Sequence, residues 1–256
     1  MTEAFRKVLR VIWYLVSPLL LYSVVSEMTA ITWQAFHGEL REEEVLLVST
    51  LAAGVASLML LYWYRQVRLK NCSRTGRRAV AGVICIGRII GMAIGACLFA
   101  NHLLILLGVP SEGYEAVDQV LYKPAFSVQV VGTGLLIPFA EELVFRGLGY
   151  GRLRAEVPYG EAVLISSVFF GLYHGNLIQG IYALILGLLI TIIYETYDSI
   201  LAAWLFHAAA NLTSVLLTAS SLEQWLDSRT GWRVALVAAG GLLVVGSFCK
   251  MRKEIK

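Results

Sequence analysis

The sequence predicts an all-α, polytopic membrane bundle of about eight transmembrane helices. Three observations carry that prediction. Of 256 residues, 58% are hydrophobic and only 15% are charged, which is too apolar for a water-soluble domain of this size. Apolar stretches long enough to cross a hydrocarbon core recur from end to end, separated by short polar connections. Lysine and arginine are unevenly divided among those connections, as the positive-inside rule requires of a chain that crosses repeatedly.

The elements follow in order. The basic segment Met1 to Arg10 precedes an apolar stretch from Val8 to about Phe36. The pair superficially resembles a signal peptide, but the stretch is too long and lacks a small-residue cleavage site, so a retained first helix is expected. The connection His37 to Glu44 is net acidic. A second helix is expected over Val45 to Tyr64, followed by a loop with Arg65, Arg68, Lys70, Arg74, Arg77 and Arg78. That loop is expected to be cytoplasmic, and so is the N-terminus. A third helix covers about Ala79 to Leu107. The loop Gly108 to Pro124 sets Glu112, Glu115 and Asp118 against Lys123 alone, as an external loop does.

A fourth helix, about Ala125 to Tyr150, returns inward and ends at Arg152 and Arg154. Its Glu141 is expected in the inner half of the membrane. The fifth, Tyr159 to His174, has sixteen residues and spans about 24 Å at the helical rise, less than a full ~30 Å core. With the sixth (Leu177 to Tyr194) it is expected to stop short of the outer face, its His174-Gly175-Asn176 turn enclosed by protein. The seventh runs from about Ser199 to Thr218. The eighth, Gly231 to Phe248, ends in Lys250, Arg252, Lys253 and Lys256, so both termini are expected in the cytoplasm. Residues 1–256 read as a single membrane domain, with its polar core at about 125–218.

Composition also excludes. No patterned basic and aromatic surface suggests nucleic acid. Cys72, Cys85, Cys97 and Cys249 are scattered without metal-finger spacing and read as free thiols.

The chemistry concentrates in Pro138-Phe139-Ala140-Glu141-Glu142-Leu143-Val144-Phe145-Arg146-Gly147. An ionisable side chain inside a bilayer costs roughly 2.5 to 3.5 kcal/mol on insertion scales, so something must offset three of them. Glu142 and Arg146 are four apart and can neutralise each other on one helical face. Glu141 points about 100° away and has no such local partner, which makes it the first candidate for chemistry. His174 ends the fifth helix, and His207 and Asn211, four apart with three alanines between, share a face of the seventh. His37 is a loop residue and His102 reads as a packing or interfacial one. A carboxylate base, an imidazole to share its proton and hydrogen-bond donors for an oxyanion are the parts that activate water against an amide. Ser166, Ser167 and Cys97 have no recognisable nucleophile context.

Glu-Glu-x-x-x-Arg at Glu141 to Arg146, Phe-x-x-x-His at Phe170 to His174 and His-x-x-x-Asn at His207 to Asn211 together resemble the signature of the CPBP family. That family comprises the type II CAAX prenyl endopeptidases and their bacterial bacteriocin-processing relatives. The resemblance spans about the central third of the chain, and the family's eight-helix core matches the helix count. It implies an intramembrane glutamic protease in which Glu141 activates water with help from His174. His207 and Asn211 would form the oxyanion site, and Glu142 and Arg146 would support it. His174-Gly175-Asn176-Leu177 and the short loops are similar to bacterial members, which argues against a prenylated substrate.

The function expected is therefore an endopeptidase of a bacterial cytoplasmic membrane. It would hydrolyse a peptide bond in a membrane-associated or hydrophobic peptide, its partners being that peptide and the bilayer. Zinc, which two histidines and a glutamate could ligate, is not expected: no HExxH spacing is present and Arg146 would oppose a dication. The alternative is a non-catalytic membrane immunity or scaffold protein that binds a peptide or partner. Proton-coupled transport, the third reading, calls for paired halves with broken helices, and none are seen. The expected geometry sets Glu141 within one water of His174, facing His207 and Asn211 across an inward-opening cavity.

Overall fold

A computed structural model of the chain describes residues 2–70, 83–110, 113–220, 222–226 and 229–255. Among them the long helices are α1 (Glu3–His37), α2 (Glu42–Lys70) and α3 (Val83–Leu106). A short α4 (Tyr114–Tyr122) leads into α5, a continuous helical rod over Phe126–Leu153. Then come α6 (Tyr159–Tyr173), α7 (Leu177–Tyr197), α8 (Ile200–Ala219), the five-residue α9 (Leu222–Leu226) and α10 (Thr230–Ile255). Seven of these are long and apolar enough to cross a membrane, and α6 is a shorter apolar helix. The expected eight-helix, all-α membrane bundle is therefore what the chain forms. Leu58 and Leu242 are 73% and 74% exposed, among many large apolar side chains that face outward. A soluble monomer does not carry so much exposed apolar surface; in a bilayer it faces lipid.

Sequence explains most of the boundaries. Glu42, Glu43 and Glu44 fill the first turn of α2, where carboxylates complement the positive end of the helix dipole. Asn176 caps α7 by accepting from the Gln179 amide at 2.9 Å. Ser199 caps α8 through the Ala202 amide, and Asp198 closes α7 in the left-handed region at φ 48°. Two elements were not foreseen. Both α4 and α9 lie in connections read as loops, and each is too short to register as an apolar span.

Register between helices defines two ends of the bundle. Tyr14 on α1, Trp63 on α2 and Arg152 on α5 meet at one level, with the Arg152 guanidinium 4.9 and 5.0 Å from the two rings. That end holds both termini and is tied by polar contacts. Arg10 pairs with Glu156 at 3.0 Å, Arg68 with Asp198 at 2.8 Å, and the Tyr150 hydroxyl donates to Glu195 at 2.9 Å. Tyr122 and Ser214 meet at 3.0 Å at the other end, beside α4. The basic loop that fixed the predicted orientation, with Cys72, Arg74, Arg77 and Arg78, lies outside the described residues. So do Glu112 and the side chains of Glu115, Arg252, Lys253 and Lys256. Cys85, Cys97 and Cys249 are free thiols, as expected.

The α6–α7 turn departs from expectation. Gly175 is exposed and His174 and Asn176 are only half-buried, so protein does not enclose the turn. Its polar backbone is satisfied locally instead. The His174 and Gly175 amides donate to Gly171 and Leu172 carbonyls, and the Gly180 amide donates to that of Asn176. Gly175 supplies the positive φ, +74°, that the reversal needs.

Helices α3 and α10 approach closely where Gly95 and Gly240 let the backbones touch. A Cβ on Gly240 would sit 2.6 Å from the Gly95 carbonyl oxygen and 2.8 Å from the Phe99 nitrogen. Backbone cannot yield as a flexible side chain does, and small residues are how membrane helices reach such proximity. Gly240→Ala should therefore lower stability by about 1–3 kcal/mol, the usual cost of overpacking. Gly246→Ala, in the same helix with nothing within 4 Å of its Cβ, is the control. Melting in detergent checks the pair, and equal melting temperatures would contradict the packing argument.

Candidate active site

The rod α5 is not a plain α-helix. Val130–Leu136 and Leu143–Tyr150 are π-helical, and the α-helical turn Ile137–Glu142 lies between them. Pro138 opens that turn. Proline donates no backbone hydrogen bond and its ring collides with the preceding turn, so the rod must widen next to it. Both carboxylates sit at the C-terminal end of this turn and Arg146 in the second π segment. Wide turns of this kind recur at functional sites because they re-aim side chains at little cost in backbone hydrogen bonds.

Glu142 and Arg146 pair as expected, with Arg146 Nη1 donating to Glu142 Oε1 at 3.1 Å and neither side chain exposed. Arg146 is held on two further sides. Its Nη2 donates to the Gly187 carbonyl at 3.2 Å, and its guanidinium lies 4.3 Å from the centre of the Phe170 ring. Gly187 makes room for this: a Cβ there would stand 3.2 Å from Nη2 and 3.3 Å from the Phe170 ring. The same Glu142 oxygen takes a second hydrogen bond, from His207 Nδ1 at 2.8 Å. That bond fixes the tautomer and orientation of the imidazole. The other ring nitrogen, Nε2, lies 3.7 Å from Glu141 Oε2. The distance is too long for a direct hydrogen bond and short enough for charge interaction.

A cavity of about 560 Å³ reaches this cluster. Glu141, His174, His207 and Asn211 line it, whereas Glu142 and Arg146 do not. The four side chains expected to act thus share one void, and the two expected to support them are packed behind it. Glu141 is 7% exposed, so the cavity touches its carboxylate without opening it widely.

Details differ from expectation. His174 Nδ1 lies 2.8 Å from the Phe170 carbonyl. A carbonyl only accepts, so Nδ1 carries a proton and Nε2 of the neutral ring is the acceptor. His207, not His174, is the imidazole within ion-pair reach of Glu141. Asn211 donates through Nδ2 to the Thr133 carbonyl at 2.9 Å, so one of its amide hydrogens is already engaged. His102 is buried next to Arg233, at 3.3 Å from Nδ1 to Nη1, away from the two carboxylates.

The cavity extends toward the end of the bundle away from Arg152. Its walls include Leu104 and Ile105 at the end of α3, Asp118 and Tyr122 of α4, and Thr218 and Glu223 around α9. These lie at the end of the bundle opposite the termini. Glu141 falls near the middle of the rod, just within the half that ends at Leu153. Loop charge indicates which end of a helix faces which compartment. It carries no information about the end at which side chains leave a void.

Sequence reasoning passed over Thr133, which lines the cavity between Gly132 and Gly134. A Gly-Thr-Gly run five residues before a proline inside an apolar helix is a usable signal of irregular backbone, although it does not identify a role.

The fold and site together define a helical membrane protein with a buried carboxylate–arginine–histidine cluster at the base of a cavity. Comparison gives that class a family resemblance. Residues 123–213 match the family model described as Type II CAAX prenyl endopeptidase Rce1-like, and the match contains all three motifs. The chain is also 23% identical over 195 residues to the Bacillus subtilis (strain 168) protein named "Putative membrane peptidase YdiL". The similarity covers 74% of this chain and 78% of that one. No solved structure matches significantly.

Proposed function

We propose that the chain is an intramembrane glutamic endopeptidase that hydrolyses a peptide bond in a hydrophobic or membrane-associated peptide. The observation that carries this reading is the division made by the cavity. Glu141, His174, His207 and Asn211 meet its space while Glu142 and Arg146 stay behind it. A bundle that needed these polar groups only as interhelical glue would have no reason to hold four of them against a void. The family match and the peptidase name of the Bacillus relative point the same way.

In the proposed reaction Glu141 takes a proton from a water held between it and His174. The resulting hydroxide adds to the carbonyl carbon, a C–O bond forms, and the carbonyl electron pair moves onto oxygen. Asn211 and the neighbouring donors stabilise that oxyanion. As the C–N bond breaks, Glu141 returns the proton to the departing amine, leaving a carboxylic acid and an amine. His207, oriented by Glu142, sets the electrostatic environment of Glu141. The localisation we propose is a bacterial cytoplasmic membrane with both termini in the cytoplasm. The cavity then faces the outer side, so the substrate bond would be presented from there.

We propose that no metal takes part. Among the described residues no three histidine, cysteine, aspartate or glutamate side chains are grouped as metal ligands. The test is cleavage of a library of internally quenched apolar peptides by the chain in proteoliposomes. Turnover should proceed unchanged in millimolar chelator. Loss of turnover that zinc restores would sink the metal-free mechanism. Binding of the peptides with no product would favour the non-catalytic immunity or scaffold reading.

A further inference from the structure

Threonine inside a helix normally spends its hydroxyl on the carbonyl four residues back. Thr29, Thr32, Thr50, Thr191 and Thr213 all do so, with oxygen-to-oxygen distances of 2.7 Å. Thr133 does not. Its side-chain oxygen is buried and has no hydrogen-bond partner among the described residues, although a buried hydroxyl without one is costly. Thr133 lies in the first π segment of α5, where the turn is wider than that of an α-helix. It is 9% exposed, and it lines the cavity that Glu141, His207 and Asn211 line. Its own backbone carbonyl accepts the Asn211 amide at 2.9 Å. Thr133 and Asn211 are therefore held together, and Thr133, its hydroxyl unpaired among the described residues, forms part of the wall of that cavity.

Resting on the endopeptidase reading above, we propose that the Thr133 hydroxyl is a catalytic hydrogen-bond donor to the oxyanion. It would act beside Asn211, whose contact with the Thr133 carbonyl fixes the spacing of the two donors. The unpaired hydroxyl of the free enzyme gains its partner only when negative charge appears on the substrate oxygen. An interaction made chiefly in the transition state raises kcat and leaves KM largely unmoved. The π segment is what makes this possible, since a regular α-turn would return the hydroxyl to its own backbone.

The experiment uses the full chain in proteoliposomes with the same quenched apolar peptides. Thr133→Val keeps the shape and removes the donor. It should lower kcat by roughly 10²- to 10³-fold, the usual effect of deleting one oxyanion donor, with KM within about threefold of wild type. Thr133→Ser restores the hydroxyl and should recover kcat to within about tenfold of wild type. Melting temperatures of both variants identify any loss due to misfolding. Wild-type kcat in Thr133→Val, a loss confined to KM, or a loss that Thr133→Ser does not rescue overturns the role given to Thr133. In each of these cases the glutamic mechanism still stands if Glu141→Gln is inactive. Absence of wild-type cleavage, or full activity in Glu141→Gln, overturns the endopeptidase reading and the Thr133 role with it.

Discussion

Glu141→Gln should abolish turnover, by at least about 10³-fold, while leaving the protein as stable as wild type or slightly more so. The two halves of this expectation come from separate observations. The loss follows from the role of general base, whose removal typically costs 10² to 10⁴-fold; here the same group also returns the proton to the leaving amine. The retained stability follows from geometry. Among the described residues Glu141 makes no short hydrogen bond, His207 Nε2 lies 3.7 Å from it, and it is only 7% exposed. Glutamine has the same shape and removes a charge that burial penalises. Kinetics per folded molecule and a melting curve on one preparation check both halves. Turnover within tenfold of wild type would remove Glu141 from the mechanism. A fall of many degrees in melting temperature would mean that the carboxylate is structural.

The fold could be read from the chain because lipid imposes simple demands. Each apolar stretch had to become a helix, and the seven long spans and the short Tyr159–Tyr173 helix lie where hydropathy put them. The Glu142–Arg146 pair was equally legible, since a spacing of four needs no tertiary information. What could not be read depends on how helices meet. The bond from His207 to Glu142 spans sixty-five residues, and no local pattern specifies it. It sets His207 beside both carboxylates, a placement that spacing along the chain does not give. The cavity reaches the end opposite the termini, where α4 and α9 help to wall it, and both are too short to announce themselves. The π segments are the subtlest case. Gly132, Gly134 and Pro138 hint at them, but the freed Thr133 hydroxyl is visible only once the backbone is built.

Arg146→Met should be the most destabilising single change in the site, and adding Glu142→Leu to it should recover part of the loss. Arg146 is wholly buried and held by Glu142 at 3.1 Å, the Gly187 carbonyl at 3.2 Å and the Phe170 ring at 4.3 Å. Removing it leaves the Glu142 carboxylate buried with only His207 beside it. Breaking a buried pair from one side costs about 3–5 kcal/mol, because a charge is stranded away from water. In a chain of this length that lowers the melting temperature on the order of 10 °C. Removing both charges leaves no stranded group, so the double variant should melt above Arg146→Met alone, a coupling that a double-mutant cycle reads directly. Arg146→Lys should not substitute. An ammonium lacks the planar fork that meets the carboxylate and the carbonyl together while stacking on Phe170. Turnover separates structure from chemistry in the same series. The double variant should regain stability without regaining activity, because His207 has then lost the oxygen that orients its ring toward Glu141. Strictly additive losses would mean that Arg146 is held by Gly187 and Phe170 and owes little to Glu142. The role of Glu142 would then narrow to His207 alone.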